Sequence, residues 1–324
     1  MIQILEPGLS TTVQDSGRYG NYHIGMPPSG AMDQYAHKVA NYLVGNDEDA
    51  ATLEMTYAGA DMEFTEDTVV AITGAAMSPK LDGDSMPQWT AVQVEAGTVL
   101  SCEFATEGVR SYLAVAGGID VSKIMGSRST YTLIGIGGHE GRELEEGDEL
   151  PIGDTDDGTT LVGSQIDDEY VPDYANDNTI RVVMGLCDYR LTDEGKDRFL
   201  GTEWKVSDEA NRVGYRLDGE DIESMFEERE QPFGAGPDPT NVVDLGYPIG
   251  SIQMAGQPIV LMRDAVTGGG YATVGTVISI DRRKLAQART HRTITFEAVN
   301  VDEAVEARAE NDEHLEAIRA SLSE

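Results

Sequence analysis

The sequence contains little cysteine, histidine or lysine, and each shortage excludes a class of function. Its two cysteines, Cys102 and Cys187, are far apart and form no C-x-x-C pair, which argues against a disulfide framework or a zinc finger and predicts two buried free thiols. The five histidines show no spacing typical of a metal site, so no metal is expected. The chain has only 23 basic residues, six of them lysine, and 58 acidic ones. A surface with this excess of negative charge repels nucleic acid and anionic lipid.

Long apolar runs are absent as well. No stretch approaches the roughly 18 uninterrupted apolar residues of a membrane span, and the start "MIQILEPGLS" lacks the basic residues and apolar core of a signal peptide. The sequence therefore predicts a cytoplasmic protein. The formal net charge of -35 predicts dependence on salt, because unscreened self-repulsion destabilises a compact chain, and the lysine-poor acidic composition resembles that of halophilic proteins.

Short segments rich in valine and threonine and separated by glycine indicate antiparallel strands, so the predicted fold is mainly β with a few helices. These segments are "TLEMTYAG", "DMEFTEDTVVAITG", "AVQVEAGTVLSCEF" and "VRSYLAVAGG" in the first half, and "TIRVVMG", "EWKVSD", "GSIQM", "PIVLMRDA", "TVGTVISI" and "TITFEAVN" in the second. The segment 226–248 contains four of the twelve prolines and is predicted to be a long surface loop.

Apolar residues recur with helical spacing from Met32 to Leu43. This pattern predicts a helix with Ser29 as a candidate cap, Asp33 in the first turn and Gly45 after the end. Weaker patterns predict helices over 193–200, 281–289 and 301–322, the last one amphipathic.

The length of 324 residues favours two domains. Residues 154–178 lose periodicity and are rich in aspartate, glycine and threonine, which is typical of an exposed connector. The predicted organisation is an N-terminal lobe at 1–153, a connector at 154–178, and a C-terminal lobe with a terminal helix at 179–324.

Common catalytic motifs are missing. Gly195 and Lys196 are followed by aspartate, so there is no Walker-type phosphate loop, and Glu140 in "GIGGHEG" occupies the place of the third glycine of a dinucleotide fingerprint. The chain has neither a G-x-S-x-G elbow nor an H-E-x-x-H motif. Any activity must therefore use carboxylates, arginine, tyrosine, amides and backbone groups, and we expect a second chain to share it.

A series of blocks resembles one protein family in order. The blocks are "PGLSTTVQDSGRYGNYHIGMPPSGAMDQYAHKVANYLVGN", "TLEMTYAG", "AITGA", "GVRSYLAVAGGIDV", "MGSRST", "GGHEGRELEEGDELP", "NRVGYRLDG" and "GYPIGSIQMAGQPIVLMRDAVTGGGYATVGTVISIDRRKLAQ". Over residues 2–287 they resemble the biotin-dependent carboxyltransferase family, which includes the C subunits of 5-oxoprolinases, the KipA proteins and subunit 2 of allophanate hydrolases. The family commonly has "TTGGY" where this chain has "VTGGGY", which leaves Thr267 as the remaining candidate hydroxyl there.

The resemblance implies two cyclophilin-like β-barrel lobes and a chain that acts beside a KipI-type B subunit. It points first to the C subunit of an ATP-dependent 5-oxoprolinase, which opens 5-oxoproline to glutamate together with the A and B subunits and is inactive as a single chain. The small amide substrate would then meet a chain that binds no cofactor, while the complex uses ATP. No lysine lies between methionines as in a biotin carrier, so any biotin would be carried by a partner.

Two alternatives stay open. The chain can be a KipA-type regulator that binds a KipI kinase inhibitor without catalysis. It can also be the carboxyltransferase subunit of a urea carboxylase or allophanate hydrolase system, which requires a biotinylated carrier in the same complex.

The N-terminal block supplies candidate substrate-binding residues, and each has a structural alternative. They are Gln14, Asp15, Arg18, Ser29, Asp33 and Asn41. Arg18 can clamp a carboxylate or phosphate, or form an ion pair with Asp15 that pins the loop. Ser29 and Asp33 can cap the helix or lie beside an anion at its N-terminus.

The second half supplies a cluster around a glycine run. Its candidate substrate-binding residues are Arg212, Tyr215, Gln253, Gly269 and Gly270, its candidate catalytic residues are Asp264, Thr267 and Tyr271, and Arg128 in the first half is a further candidate. Glycine lets backbone N–H groups approach a ligand oxygen, Asp264 can act as a base, and Tyr271 can donate to an oxyanion. The alternative is a strained hairpin with a packed tyrosine.

Overall fold

In the computed structural model, residues 1–155, 161–176 and 178–322 are described, and they confirm a mainly β fold with a few helices. The strands β1 to β20, in chain order, are Ile2–Glu6, Thr11–Gln14, Thr52–Thr56, Asp61–Phe64, Thr68–Ala76, Lys80–Leu81, Asp84–Ser85, Val92–Val94, Val99–Ser101, Glu107–Val115, Glu149–Leu150, Thr179–Met184, Trp204–Val206, Gly214–Asp218, Asn241–Gly246, Ser251–Met254, Pro258–Leu261, Gly268–Tyr271, Thr273–Val277 and Thr293–Ala298. The helices α1 to α4 are Gln34–Leu43, Asp193–Gly201, Arg282–Ala286 and Val301–Ser321. None of the helices in this part of the chain has both the length and the apolarity that crossing a membrane requires.

The chain forms two compact units, and neither is one continuous segment. The first unit is Met1–Arg18, Ser29–Ala175 and Asp312–Glu324, and the second is Tyr19–Pro28 and Asn176–Asn311. The predicted lobes, 1–153 and 179–324, are continuous in sequence and so differ from these units at three places: the short segment after Arg18, the connector, and the chain end.

The predicted connector contributes to the core of the first unit. Ile166 is buried in that core, and Tyr170 and Tyr174 pack against it. These three apolar groups hold the segment on the first unit because their burial outweighs the polar composition around them. Residues 156–160 and 177 of the predicted connector lie outside the described residues.

The first unit is built on two sheets. One has the strand order β11-β1-β4-β9-β6-β7 and the other β2-β3-β10-β5-β8. Apolar side chains from both sheets form one core, and a second core joins the opposite face of the five-stranded sheet to α1. Strand β5, "TVVAITGAA", is buried at all but its last residue because it is covered on both faces, which explains its continuous apolar sequence.

Helix α1 begins two residues later than its apolar pattern. Asp33 is the N-cap, and its side chain accepts a hydrogen bond from the Ala36 backbone N–H. Ser29 is not the cap, because it lies four residues before the cap and has the left-handed backbone angle φ of 53°. The other predicted helices are present as α2, α3 and α4, with α3 shorter than predicted.

The second unit contains a closed seven-stranded barrel. Its strand order is β12-β19-β16-β17-β14-β13-β20, and the parallel pair β12 and β20 closes it. The predicted loop 226–248 is only partly a loop, since Asn241–Gly246 within it form β15, which pairs with the glycine strand β18. Cys187 is buried and Cys102 half-buried, and both thiols are free.

Candidate functional site

One pocket of the second unit has the size and lining of a small-molecule site. Its volume is about 630 Å³, within the range usual for ligand pockets. The lining residues come from the segment after Arg18, the turn after β15, the turn before β18, and α3: Tyr19, Tyr22, His23, Gly246, Tyr247, Pro248, Ile249, Thr267 and Arg282. We call this space the tyrosine pocket.

One arginine, Arg282, lines the pocket, and a second, Arg263, contacts the lining residue Tyr19. The Nε of Arg282 is buried and has no hydrogen-bond acceptor within the described residues. Burial, and then the charge of Arg263, lower the pKa of Arg282 to about 10, so this guanidinium stays charged at neutral pH. Arg263 donates from Nη1 to the Tyr19 hydroxyl at 2.9 Å, and its guanidinium carbon lies 5.6 Å from the centre of that ring.

Tyr22, in the wall of the pocket, interacts with the charges of both Arg263 and Arg282. Burial raises the pKa of Tyr22, while the charges of Arg263 and Arg282 and a hydrogen bond with the Ile249 backbone partly offset that rise. Tyr22 therefore carries a neutral hydroxyl at physiological pH, which can still donate a hydrogen bond.

Tyr247 links the pocket to the glycine strand β18. Its hydroxyl accepts from the Tyr271 N–H at 2.7 Å and donates to the Tyr271 carbonyl at 3.0 Å. A hydrogen bond with the Gln253 side chain completes this group. A Cβ at Gly269 would lie 2.9 Å from the Tyr247 ring, so the close approach of the ring to the strand requires glycine at this position.

The structure thus brings Gln253, Gly269 and Tyr271 together around Tyr247, with Thr267 in the same pocket wall. The Thr267 carbonyl accepts from the Tyr247 N–H at 2.9 Å. Strand β18 pairs with β15, in the register of Leu245 with Gly269, so the glycine run forms a strand.

Asp264 and Arg212 form an ion pair in the second unit. Arg212 Nε donates to one carboxylate oxygen at 2.7 Å and Nη2 to the other at 3.3 Å. Asp264 is 4% exposed. Tyr215 is buried, and its hydroxyl donates a hydrogen bond to the Ala286 carbonyl at 3.3 Å. The hydroxyl therefore lies at the C-terminal end of α3.

In the first unit, Gln14, Asp15 and Arg18 converge on one segment, 124–130. Arg18 donates to the carbonyls of Ile124 and Ser129 at 2.9 and 2.8 Å. Gln14 donates to the Thr130 carbonyl at 3.2 Å. These bonds of Arg18 and Gln14 brace the loop, while an ion pair of Arg18 with Asp15 stays a prediction.

Asp15 is the centre of this bracing. Burial raises its pKa, but hydrogen bonds from Ser129, Ser127 and the backbone N–H groups of Arg128 and Gly17 outweigh burial, so the net pKa lies below the usual value. Arg128 itself bonds the Val121 carbonyl at 2.8 Å and pairs with Asp120.

The remaining first-unit candidates lie around α1. Ser29 is buried in the turn before the helix. The Asp33 carboxylate caps α1 and accepts from the Tyr174 hydroxyl at 2.8 Å. The Asn41 amide donates to the Ala50 carbonyl at 2.9 Å and accepts from Asn46 at 3.0 Å, so it buttresses the loop after the helix.

Sequence reasoning misses the arginines and most of the tyrosines of the tyrosine pocket. Arg263 lies in a segment that predicts a strand, and Arg282 in one that predicts a helix. The short segment with Tyr19, Tyr22 and His23 has the composition of a loop. The available signal is the concentration of two tyrosines and a histidine within five residues of a glycine-rich segment. Across the described ranges, no group of three or more His, Cys, Asp or Glu side chains is placed to hold a metal.

Comparison with known proteins gives a consistent picture. The model of the carboxyltransferase domain family, subdomains A and B, matches residues 24–298. The chain is 37% identical to the C subunit of 5-oxoprolinase from Escherichia coli over 318 residues, which cover 98% of this chain and 97% of that protein. It is 34% identical to urea amidolyase of Saccharomyces cerevisiae over 303 residues, which cover 91% of this chain but 16% of that protein.

A solved structure supports the same relationship. The crystal structure of the Kluyveromyces lactis urea amidolyase superposes with a TM-score of 0.89 at 30% identity, covering 98% of this chain and 20% of that chain. The chain therefore corresponds to one part of the amidolyases and to nearly all of the bacterial protein.

Proposed function

The chain belongs to the carboxyltransferase domain family, subdomains A and B, and from this membership we propose that it is the C subunit of a 5-oxoprolinase. The observation that carries the proposal is the match to the Escherichia coli protein along almost the whole length of both chains. A shared domain within a larger enzyme would cover only part of the relative, as it does in the amidolyases.

The proposed enzyme needs partners. The name of the relative, a C subunit, supports a complex with other subunits. We propose a KipI-type B subunit and a further A subunit as partners of a chain that is inactive alone. ATP is used by the complex, this chain holds no cofactor, and biotin takes part only if a partner carries it.

The chemistry of the proposed reaction explains the use of ATP. A lactam is a poor electrophile, and phosphoryl transfer from ATP to its oxygen gives an activated imidate and ADP. Water adds to the ring carbon, the carbon–nitrogen bond breaks with a proton going to nitrogen, and the acyl phosphate of glutamate forms. A second water releases phosphate and leaves glutamate.

In this proposal the tyrosine pocket receives the cyclic amide, and three residues of the same unit act on it. Asp264 is the proposed base for the attacking water, while Tyr271 and Thr267 are the proposed donors to the oxygen that gains charge. The Arg212 ion pair holds the Asp264 carboxylate in one orientation, as a group that activates water requires.

Reconstitution tests the function. The purified A and B subunits with this chain should hydrolyse ATP in a 5-oxoproline-dependent manner and release glutamate, measured by coupled ADP and glutamate assays in concentrated salt. The matched control is the same mixture without this chain. Equal rates with and without it would defeat the proposal.

A second candidate rests on the structural match to urea amidolyase. The chain would then be the carboxyltransferase part of a urea carboxylase, and its complex would contain a biotinylated carrier that a streptavidin blot detects. A KipA-type regulator, by contrast, would form a tight complex with a KipI-type partner and turn over neither 5-oxoproline nor urea.

A further inference from the structure

The Nε of the Arg282 guanidinium is buried and has no hydrogen-bond acceptor among the described residues. The charged groups that move its pKa are Arg263, which repels it, and the hydroxyls of Tyr19 and Tyr22. No carboxylate of the described residues pairs with it, although the chain has 58 acidic residues. A half-buried guanidinium whose Nε is removed from water without an anion costs the folded state free energy, so such a group is retained where a ligand supplies the anion.

The backbone around Arg282 holds it in place. Gly250 has φ of +90°, and a Cβ there would lie 2.8 Å from the Val277 carbonyl oxygen and 3.0 Å from Arg282 Nε. A side chain at position 250 would displace the guanidinium, so the close approach depends on glycine. Arg282 therefore packs closely against Gly250 at its Nε and also lines the tyrosine pocket.

The other walls of the tyrosine pocket suit a small ring and not a polyanion. Tyr22 and Tyr247 contribute aromatic side chains to the lining, and Thr267 lies in the same wall. The net charge of -35 repels nucleic acids and other extended anions. A small carboxylate can still bind, because salt screens the long-range repulsion while contacts at hydrogen-bond distance persist.

We propose that the tyrosine pocket is a carboxylate receptor in which Arg282, with Arg263 behind Tyr19, binds the carboxylate of the substrate while the tyrosine rings pack against its ring. This assignment rests on the proposed function for the identity of the substrate, a cyclic amide that bears one carboxylate. The guanidinium is suited to the role because its fork of N–H donors matches both oxygens of a carboxylate. Arg282 is then a binding residue, and the lactam lies farther along the pocket toward Thr267.

Binding to the isolated chain tests the receptor. Calorimetry in about 1 M KCl, where electrostatic steering is screened, compares 5-oxoproline with 2-pyrrolidinone, which has the same ring without the carboxylate. We expect 5-oxoproline to bind at least about tenfold more tightly, and Arg282→Gln to remove that preference without changing the affinity for 2-pyrrolidinone. Equal affinities for the two ligands in the wild-type chain, or an unchanged preference in Arg282→Gln, would overturn the assignment.

Inorganic phosphate and ATP distinguish the source of the anion. If either displaces 5-oxoproline from the wild-type pocket at lower concentration than glutarate, a dicarboxylate, the site is a phosphate subsite and the carboxylate assignment is wrong. The matched control is Arg198→Gln in the same unit, where the arginine forms a half-exposed ion pair with Glu220. Arg198→Gln should bind all ligands as the wild-type chain does.

Stability adds a readout that a structural arginine would not give. Arg282→Met keeps the size and removes the unpaired charge, so we expect its melting temperature to rise. A fall in melting temperature would show that Arg282 supports the fold, and would overturn the inference.

The complex separates this inference from the proposed function. If the three subunits turn over 5-oxoproline and Arg282→Gln raises the KM for 5-oxoproline at least about tenfold with the KM for ATP unchanged, both stand. Turnover with an unchanged KM in the variant defeats the receptor alone. A complex inactive on 5-oxoproline, combined with Arg282-dependent binding of carboxylates to the isolated chain, defeats the function alone.

Discussion

Replacing Asp264 by asparagine separates its contribution to the barrel from its proposed role as a base. The Asp264 carboxylate accepts hydrogen bonds from two N–H groups of Arg212, at 2.7 and 3.3 Å. The side chain of Asp264 is 4% exposed and that of Arg212 is 17% exposed. Hydrogen bonds between charged groups contribute about 1.5–3 kcal/mol. Because asparagine keeps one acceptor oxygen and the guanidinium still reaches some water, we expect a loss of about 2 kcal/mol in the free energy of unfolding.

The two tryptophans allow this loss to be assigned to one unit. Trp89 lies in the first unit and Trp204 is fully buried in β13 of the barrel. In a Trp89→Phe background, the fluorescence of Trp204 therefore follows unfolding of the second unit alone during a urea titration. The exposed Asp197→Asn, which removes the same charge from α2, is the control and should change the midpoint little.

A double-mutant cycle with Arg212→Gln isolates the ion pair. We expect a coupling energy of about 1–2 kcal/mol between the two positions. Turnover in the assembled complex is measured on the same variants, and loss of a general base predicts a fall of about 100-fold or more in Asp264→Asn. A barrel midpoint that moves by less than about 0.5 kcal/mol would refute the reasoning about the ion pair, and unaltered turnover per folded complex would remove Asp264 from the site.

Three further predictions concern other parts of the molecule. Asp148→Asn should lower the stability of the first unit by about 1–2 kcal/mol at neutral pH, because Arg142 holds the pKa of Asp148 at about 2. This contribution is present above the unfolded-state pKa near 3.8 and is lost as the pH falls toward 2. Urea midpoints of wild type and variant that stay parallel from neutral to acid pH would contradict it. Tyr271→Phe should lower turnover about tenfold to a few hundredfold if the hydroxyl serves an oxyanion, and its melting temperature should change little because the hydroxyl is on a side chain 43% exposed; a wild-type rate would exclude the role. The melting temperature of the wild-type chain should be higher in about 2 M than in about 0.05 M KCl, since salt screens the charge of -35, and equal values would show that self-repulsion does not limit stability.

The local pattern of the sequence was sufficient to predict most secondary structure. Strand β5 and helix α1 are examples, because a run buried on both faces and an apolar repeat every three to four residues each depend only on near neighbours. The helix start was harder to predict, since Ser29 and Asp33 both have a capping oxygen. The backbone angle of Ser29 and the position of the Ala36 N–H decided between them.

The family was also accessible from sequence, because the order of many short blocks is specific even where each block alone is not. The boundaries of the compact units could not be predicted from the sequence. The sequence around Ile166 predicts a polar connector, yet Ile166 is buried in the core of the first unit. The segment after Arg18, in turn, belongs to the second unit. Membership in a unit depends on contacts between distant parts of the chain, and periodicity carries no information about those contacts.

The site shows the same division most clearly. The sequence by itself identified Thr267, Gln253 and Tyr271 as polar groups around a glycine run, and in the structure each of them is hydrogen-bonded to Tyr247. Only the tertiary structure placed Tyr19 against Arg263, 244 positions away along the chain. It also left the Nε of Arg282 buried without an acceptor among the described residues. A residue type and its spacing predict what a side chain can do, whereas its burial and its missing partner exist only once the barrel has closed around it.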